Sequence, residues 1–272
     1  MPELPEVETT LRGIAPFVVG NSVKQFKIRN GNLRWPVEES LPRKLKNKPV
    51  ISLARRGKYL VFEFSNGHLL WHLGMSGNLR ILQSSSTPQK HDHIDVTFVD
   101  GYILRYQDPR RFGAVVWTTD AVADHKLINH LGPEPLTSEF CADYLYQKSR
   151  KRSQAIKSWI MDSKVVVGVG NIYANEALFK AKIHPLMQAG KLSRTASEIL
   201  VEEIKTVLSK AIQQGGTTLK DFVGGDGKPG YFAQALQVYG RGGEPCPSCS
   251  KPLTEKHIAQ RSTVYCTHCQ KR

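Results

Sequence analysis

The chain has 272 residues, 40% of them hydrophobic, which is long and apolar enough for a packed core and argues against wholesale disorder. Its 38 Lys and Arg residues exceed its 24 Asp and Glu residues, and the net charge of +14 predicts a polyanionic partner, nucleic acid ahead of an anionic membrane. No apolar run approaches the ~20 residues of a membrane helix and no secretion leader is visible, so we expect a cytoplasmic protein.

The first stretch, MPELPEVE, is unusual in placing acidic residues beside a proline at position 2. Removal of Met1 would leave Pro2 as a terminal secondary amine, and α-amino groups titrate near ~8, so part of it would be neutral at neutral pH. Neutral amines of this kind attack aldehyde-like carbons and form iminium ions. Glu3 is placed to move the protons of such a reaction.

The same stretch also has a purely structural interpretation. Pro5 suits the first turn of a helix, and Glu6 and Glu8 lie where a helix N-terminus favours negative charge. The apolar residues Val7, Leu11 and Ile14 continue at helical spacing. The two interpretations are compatible, because a helix start can also carry a catalytic group.

Residues 1 to about 132 predict a mainly antiparallel β-sandwich behind this leading helix. Short apolar runs with turn-rich borders favour strands, and Asp100-Gly101 between two of them is a signal for a two-residue hairpin loop. The segment from Gln83 to Lys90 predicts an exposed loop. The predicted strands are Val23–Ile28, Val50–Leu53, Tyr59–Phe64, Leu69–Leu73, Leu79–Leu82, Ile94–Val99, Tyr102–Tyr106 and Gly113–Trp117.

A domain boundary is predicted at Leu131-Gly132-Pro133-Glu134-Pro135, after which the periodicity becomes helical. Thr195 and Glu198 predict a capping box at the start of a long amphipathic helix. The glycine-rich stretch at 223–230 predicts a mobile loop. The other predicted helices are Phe140–Lys148, Ile156–Met161 and Ile172–Lys180, the last of them preceded by a tight turn at Gly168–Asn171.

Four of the five cysteines form two CxxC knuckles, Cys246 with Cys249 and Cys266 with Cys269. Two knuckles at this separation fit a closed, tetrahedral and therefore structural zinc site, with a pair of disulfides as the alternative. The last 30 residues hold few apolar side chains, so zinc affinity of about 10 to 16 kcal/mol is what would order them. His268 lies within a knuckle and is not expected to be a ligand.

Six motifs in the same order resemble bacterial formamidopyrimidine-DNA glycosylase: MPELPEVE, VVGVGNIYANE, GGTTLKDF, GDGKPGYFAQ, LQVYGR and the four-cysteine C-terminus. The resemblance covers essentially the whole chain. It implies an α+β protein with three parts. These are a catalytic β-sandwich with a leading helix at 1–132, a helix-two-turn-helix domain at 133–237 with a lesion-reading loop near 217–231, and a β-ribbon zinc finger at 238–272.

The resemblance also implies an activity, namely excision of 8-oxoguanine opposite cytosine and of formamidopyrimidines, followed by β,δ-elimination at the abasic site. It assigns the Schiff base to Pro2 and the protonation of the sugar-ring oxygen to Glu3. Lys58 would aid proton transfer in elimination, and Arg261 would hold the phosphates and assist the last step. From its position alone, Lys58 is an ordinary surface lysine.

DNA-binding residues are carried over in the same way. Arg152, Lys157 and Asn171 would contact the DNA backbone, and His91 would be a further contact. Met75, Arg110 and Phe112 would fill the gap left by an extruded nucleotide, although by position alone Met75 and Phe112 are core residues and the charged run near Arg152 is a solvated surface. The residues that would recognise the lesion are Glu6, Thr217, Thr218 and Lys220.

Two alternatives remain open. Endonuclease VIII glycosylases, which act on oxidised pyrimidines, resemble the opening less well because glycine replaces Leu4 in their usual pattern. A zinc-ribbon DNA-binding protein with an inactive site is the second alternative, and the joint presence of Pro2, Glu3 and Lys58 argues against it. In each case we expect a monomer that binds double-stranded DNA.

Overall fold

The computed structural model of the chain describes residues 2–83, 86–216 and 236–271. These residues form two compact units, residues 2–129 with 214–216 and residues 130–213 with 236–271. Thr217, Thr218, Lys220 and the loop predicted at 223–230 lie outside the described residues. Within the described part of the chain, none of the helices combines the length and hydropathy of a transmembrane segment.

The first unit opens with helix α1 (Leu4–Val18) and continues as two four-stranded antiparallel sheets. Its strands are β1 (Val23–Ile28), β2 (Ser52–Arg56), β3 (Tyr59–Phe64), β4 (Gly67–His72), β5 (Asn78–Gln83), β6 (Asp92–Phe98), β7 (Tyr102–Gln107) and β8 (Ala114–Thr118). One sheet has the order β1-β6-β7-β5 and the other β2-β3-β4-β8. The predicted antiparallel sandwich with a leading helix is confirmed.

One apolar core joins the two sheets and α1. It contains Phe26 of one sheet and Trp71 of the other, and the Trp71 ring meets the Tyr106 ring edge-on at 5.3 Å. A short helix, α2 (Leu41–Leu45), adds two buried leucines to this core. The sequence analysis missed α2 because five residues are too few to show a helical period.

The β6–β7 hairpin has a longer loop than predicted. Thr97 pairs with Ile103 and the Gly101 N–H donates to Phe98 O at 3.1 Å, so three residues rather than two connect the strands. Gly101 has a φ of +93°, a value that glycine adopts without a steric penalty. The hairpin prediction is therefore right and its loop length wrong.

The second unit contains helices α3 (Ala142–Ser149), α4 (Ile156–Ile160), α5 (Asn171–Lys180) and α6 (Arg194–Gln213), and the ribbon strands β9 (Thr254–Ile258) and β10 (Arg261–Tyr265). The predicted capping box at Thr195 is wrong, because α6 begins at Arg194 and Ser193 Oγ accepts the Ala196 N–H at 3.1 Å. A serine two residues earlier thus caps the helix.

The ribbon is bound to the helices of this unit. Asn175 Oδ1 of α5 accepts the Val264 N–H at 2.9 Å, and Gln270 Nε2 donates to Ile183 O at 2.9 Å. Phe179 of α5 joins a small apolar core with ribbon residues. The ribbon and α5 therefore fold as parts of one body.

Candidate active site and nucleic-acid interface

The N-terminus of α1 carries the candidate nucleophile and its neighbours. Pro2 is buried directly before the helix, and Glu3, 2% exposed, is its N-cap in extended conformation. The Glu3 N–H donates to Glu6 Oε2 at 2.9 Å, so the two acidic residues form a capping box. Pro5 occupies the first turn as predicted. The structural interpretation of MPELPEVE is confirmed, and it places Pro2 and Glu3 side by side at a helix N-terminus.

A second link joins α1 to the turn that carries Lys58. Glu8 accepts hydrogen bonds from Arg12 at 2.9 Å and from Arg55 Nε at 2.8 Å, and Arg55 Nη1 also donates to Gly57 O at 3.0 Å. Arg56 pairs with Tyr59, so Gly57 and Lys58 form a two-residue turn rather than the start of β3. Arg55 therefore fixes the Lys58 turn against the helix that begins after Pro2.

The pKa of Glu8 reflects this arrangement. Burial alone would raise the pKa of Glu8, but the hydrogen bonds from Arg55 and Arg12 outweigh it and hold the pKa below its usual range. Glu8 is therefore ionised at neutral pH and remains an acceptor for Arg55.

His72, at the end of β4, is a site neighbour that the sequence analysis missed. Its Nδ1 accepts the Gly74 N–H at 3.0 Å, and its ring lies 4.8 Å from the Tyr59 ring. Burial, followed by the charges of Lys58 and Arg34, lowers the pKa of His72 to about 4 against an opposing effect of Asp108. The imidazole is therefore neutral at physiological pH and accepts through Nδ1.

Two adjacent turns carry the residues predicted to fill an extrusion gap. Met75 lies half-buried in the turn between β4 and β5, while Arg110 and Phe112 are exposed in the loop between β7 and β8. Phe112 is 45% exposed and lies 4.8 Å beneath the Arg110 guanidinium, so the alternative of a core role is wrong for Phe112. A Cβ at Gly74, whose φ is +72°, would clash with Gly113 N, so the two turns are in backbone contact.

His91 lies half-buried beside these turns. Its carbonyl oxygen accepts the Asp108 N–H at 3.1 Å, and its ring lies 6.4 Å from the ring of His93. Asp92 of the same run accepts from Arg80 at 2.9 Å instead of facing the histidines as a metal ligand. Among the described residues, only the cysteine cluster groups side chains that could hold a metal ion.

The second unit carries the remaining predicted backbone contacts. Arg152 is exposed, next to Lys151 whose φ is +60°. Asn171 begins α5, and its Oδ1 is buried without a hydrogen-bond partner. Lys157, which the resemblance assigns as a contact to the DNA backbone, is 1% exposed.

Lys157 instead supports the ribbon near its tip. Its Nζ donates to Ser262 O at 2.8 Å and to Thr263 Oγ1 at 2.7 Å. Arg261, the residue before Ser262, is exposed. It directly follows a two-residue turn in which Ala259 and Gln260 both have positive φ. Arg261 therefore begins β10, the ribbon strand that the buried Lys157 holds at Ser262 and Thr263.

The four cysteines are arranged for a tetrahedral ion. All four Sγ atoms lie within 4.8 Å of one another, and the Cys249–Cys266 and Cys246–Cys269 separations are 3.5 and 3.9 Å. Zinc–sulfur bonds of about 2.3 Å in tetrahedral geometry separate sulfurs by ~3.8 Å, whereas a disulfide needs about 2.05 Å. The thiols are free, so the disulfide alternative is wrong and the donor set fits one structural zinc ion.

Two further features flank the part of the chain that the structure does not describe. Glu176, 1% exposed on α5, accepts the backbone N–H groups of Gln237, Val238 and Tyr239 at 2.8 to 2.9 Å. A Cβ at Gly216 would lie 3.1 Å from Glu6 Oε1, so residue 216 abuts the N-terminal turn of α1. Neither contact has a sequence signal, because each joins residues more than 60 positions apart.

Comparison with known proteins places these features in a family. Three family models match: the formamidopyrimidine-DNA glycosylase N-terminal domain over residues 1–115, its H2TH domain over 131–223, and the zinc finger found in FPG and IleRS over 243–272. The formamidopyrimidine-DNA glycosylase of Saccharophagus degradans is 65% identical over 271 residues, covering 100% of both chains.

Solved structures agree with the sequence comparisons. Lactococcus lactis Fpg (MutM) in complex with DNA containing N7-benzyl-Fapy-dG is 34% identical, covers 100% of both chains and has a TM-score of 0.92. Lactococcus lactis Fpg with DNA containing an abasic site gives 34% identity and a TM-score of 0.92, covering 99% of this chain and 100% of that one.

Proposed function

The chain belongs to the formamidopyrimidine-DNA glycosylase family, and on that premise we propose that it excises oxidised purines from duplex DNA and then cleaves the strand. Its substrates are 8-oxoguanine opposite cytosine and ring-opened formamidopyrimidines. The observation that carries the proposal is the placement of Pro2 and Glu3 side by side at the start of α1. The enzyme acts as a monomer in the cytoplasm.

Pro2 is the nucleophile in this proposal. After loss of Met1 its neutral nitrogen attacks C1′ of the damaged nucleotide, and the C1′–N bond to the base breaks with its electrons leaving on the base, which takes up the proton that the Pro2 nitrogen releases. Glu3 protonates the ring oxygen as the C1′–O4′ bond opens, which leaves an iminium ion between Pro2 and C1′. The capping box supports this role because it fixes Glu3 beside Pro2.

Strand cleavage follows from the same iminium ion. It acidifies the C2′ hydrogen, and loss of that proton expels the 3′ phosphate. A second elimination then expels the 5′ phosphate. Lys58 takes part in the proton transfers, and Arg261 at the ribbon tip binds phosphate during the last step. The Arg55 contacts that hold the Lys58 turn against α1 support the assignment of Lys58.

DNA is held in an extruded state by groups in both units. Extrusion costs a few kcal/mol of stacking and pairing. Met75 and Phe112 fill the gap and Arg110 reaches the orphaned cytosine, and the exposure of Arg110 and Phe112 supports that use. Arg152, Asn171 and His91 contact the backbone, whereas the burial of Lys157 favours an indirect role through the strand of Arg261.

The lesion is read beside the N-terminus of α1. Glu6 and the residues after Gly216, which include Thr217, Thr218 and Lys220, form this part of the site. The close approach of Gly216 to Glu6 supports the proposal, because Gly216 directly precedes that stretch in the sequence.

Analysis of the reaction ends tests the function. A duplex with one 8-oxoguanine should yield a one-nucleotide gap with phosphate on both ends, the product of β,δ-elimination. An intact strand with an abasic site would contradict the lyase assignment, and preference for oxidised pyrimidines in the same duplex would favour the endonuclease VIII alternative. Tight binding without any base release would indicate the zinc-ribbon DNA-binding alternative.

A further inference from the structure

A single buried carboxylate connects the two turns that carry Met75, Arg110 and Phe112. Asp108 is 0% exposed and directly follows β7. Its Oδ1 accepts the hydroxyl of Ser76 at 2.7 Å. Its Oδ2 accepts the Gly113 N–H at 2.9 Å.

The two donors come from different turns. Ser76 follows Met75 in the β4–β5 turn, and Gly113 follows Phe112 at the end of the β7–β8 loop. The Ser76 hydroxyl oxygen in turn accepts the Arg110 N–H at 3.3 Å. Both turns are thus bound to Asp108 and to each other.

The main chain of Asp108 extends the connection. Its N–H donates to His91 O at 3.1 Å, and its carbonyl oxygen accepts the Arg111 N–H at 3.2 Å and lies 2.8 Å from His93 Nε2. Arg111 has a φ of +56°, which a non-glycine residue adopts only when its surroundings impose it. The loop that carries Arg110 is therefore fixed at its first residue, Asp108, and has a positive-φ residue directly after Arg110.

The third side-chain contact anchors this arrangement in the core. Asp108 Oδ2 also accepts the hydroxyl of Tyr106 at 3.0 Å, and Tyr106 packs against Trp71. Burial, with Asp108 beside it, raises the pKa of Tyr106 far above its usual range, so the hydroxyl stays a donor at any working pH. A carboxylate can only accept, and each of these donors matches that property.

We propose that Asp108 is a positioning residue that holds the Met75 turn and the Arg110–Phe112 loop as one preassembled wedge for nucleotide extrusion. The inference rests on the proposed function, which gives those three residues the gap-filling role. A side chain that enters a base stack must resist being pushed back, and turns ordered in advance lose no further freedom on contact with DNA. Asp108 touches neither DNA nor the reacting atoms and acts through Ser76 and Gly113.

The test compares a substrate that requires extrusion with one that does not. Ser76→Ala removes the hydroxyl that binds Asp108, and it should lower excision of 8-oxoguanine from a duplex about tenfold. Borohydride trapping on a single-stranded oligonucleotide with an abasic site should stay within about twofold of the parent enzyme. Ser197→Ala, which removes a buried hydroxyl from α6, is the matched control and should change neither reaction.

Coupling to Met75 separates positioning from general stability. In a Met75→Ala background, Ser76→Ala should cause a smaller further loss than it causes in the parent enzyme, because one of the side chains that it positions is already absent. Asp108→Asn should lower excision from the duplex more than Ser76→Ala does, because the amide N–H₂ of asparagine would face hydrogen-bond donors that now bind a carboxylate. Equal losses on both substrates, or additive losses with Met75→Ala, would overturn the inference.

The outcomes also distinguish this inference from the proposed function. If Met75→Ala lowers duplex excision and Ser76→Ala does not, Asp108 has no positioning role and the wedge stands without it. If Met75→Ala itself leaves duplex excision unchanged, the wedge assignment fails and the inference fails with it.

Discussion

Arg55 donates one hydrogen bond to Glu8 of α1 and another to the carbonyl oxygen of Gly57. One side chain therefore sets the distance between the helix that begins behind Pro2 and the turn that carries Lys58. A nucleophile and a proton-transfer group from separate elements need such a link, because small displacements at a reacting centre lower rates steeply.

Replacement of Arg55 should impair elimination. Arg55→Gln breaks the contact with Gly57 and should slow cleavage at a preformed abasic site. The expected loss is about tenfold, which is the rate change that corresponds to the free energy of one hydrogen bond to a charged group. Arg12→Gln is the matched control, since Arg12 also binds Glu8 but its side chain is 61% exposed and does not contact the turn. Single-turnover rates on abasic duplex measure the difference. Equal rates for the two variants would show that Arg55 does not position Lys58.

His72 should make folding sensitive to mild acid. Its folded pKa of about 4 lies below the unfolded value of 6.5, so its contribution to stability is full above pH 6.5 and is lost as pH falls toward 4. His72→Asn keeps an acceptor for the Gly74 N–H and cannot titrate. Between pH 7 and pH 5 the parent protein should lose about 2 kcal/mol more unfolding free energy than the variant, as measured by urea denaturation. Parallel curves would contradict the neutral state of the half-buried His72.

Removal of zinc should unfold the ribbon and abolish duplex binding. The ribbon core contains two of the ligands themselves, Cys246 and Cys266, with few other apolar residues, so little apolar burial remains without the ion. Chelation followed by metal analysis, circular dichroism and gel-shift assays checks this expectation, and restored zinc should reverse the loss. Full binding by metal-free protein would show that the ribbon is dispensable for DNA contact.

Arg152 should contribute a phosphate contact. If about six phosphates are neutralised, affinity should fall by ~10³ between low and moderately high salt. Arg152→Gln should weaken binding to damaged and undamaged duplexes alike and reduce the salt slope by about one. Lys210→Gln, which removes the same charge from an exposed site on α6, controls for net charge. An identical slope change in both variants would assign the effect to overall charge.

Much of this architecture could be predicted from local patterns. The apolar strand runs, the pattern of the leading helix and the CxxC knuckles are short-range signals. The position predicted from each lies near the position observed in the structure. The five-residue helix α2 and the Ser193 cap were missed or misplaced because their signals are weak or shared with neighbouring residues. Hydrophobic periodicity predicts the presence of a helix or strand more reliably than it predicts the residues at which that element begins and ends.

Side-chain partnerships across the fold were beyond local patterns. Asp108 with Ser76, Lys157 with Thr263 and Glu176 with the backbone at 237–239 join distant parts of the chain. A run of basic residues gave no sign that Lys157 would be buried while Arg152 stayed exposed. Burial is decided by which surfaces pack together, and that is a property of the fold.

Borohydride trapping with peptide mapping shows whether the nitrogen of Pro2 forms the covalent bond to the damaged sugar. Borohydride should be present during the reaction with an 8-oxoguanine duplex, so that it reduces the iminium ion to a stable cross-link. The cross-linked protein is then digested and the peptide attached to DNA is sequenced by mass spectrometry. We expect a single adduct on a peptide that begins with Pro2, and its formation should slow in Pro2→Gly far more than duplex binding weakens. An adduct on Lys58, or full strand cleavage by protein that retains Met1, would show that Pro2 is not the nucleophile.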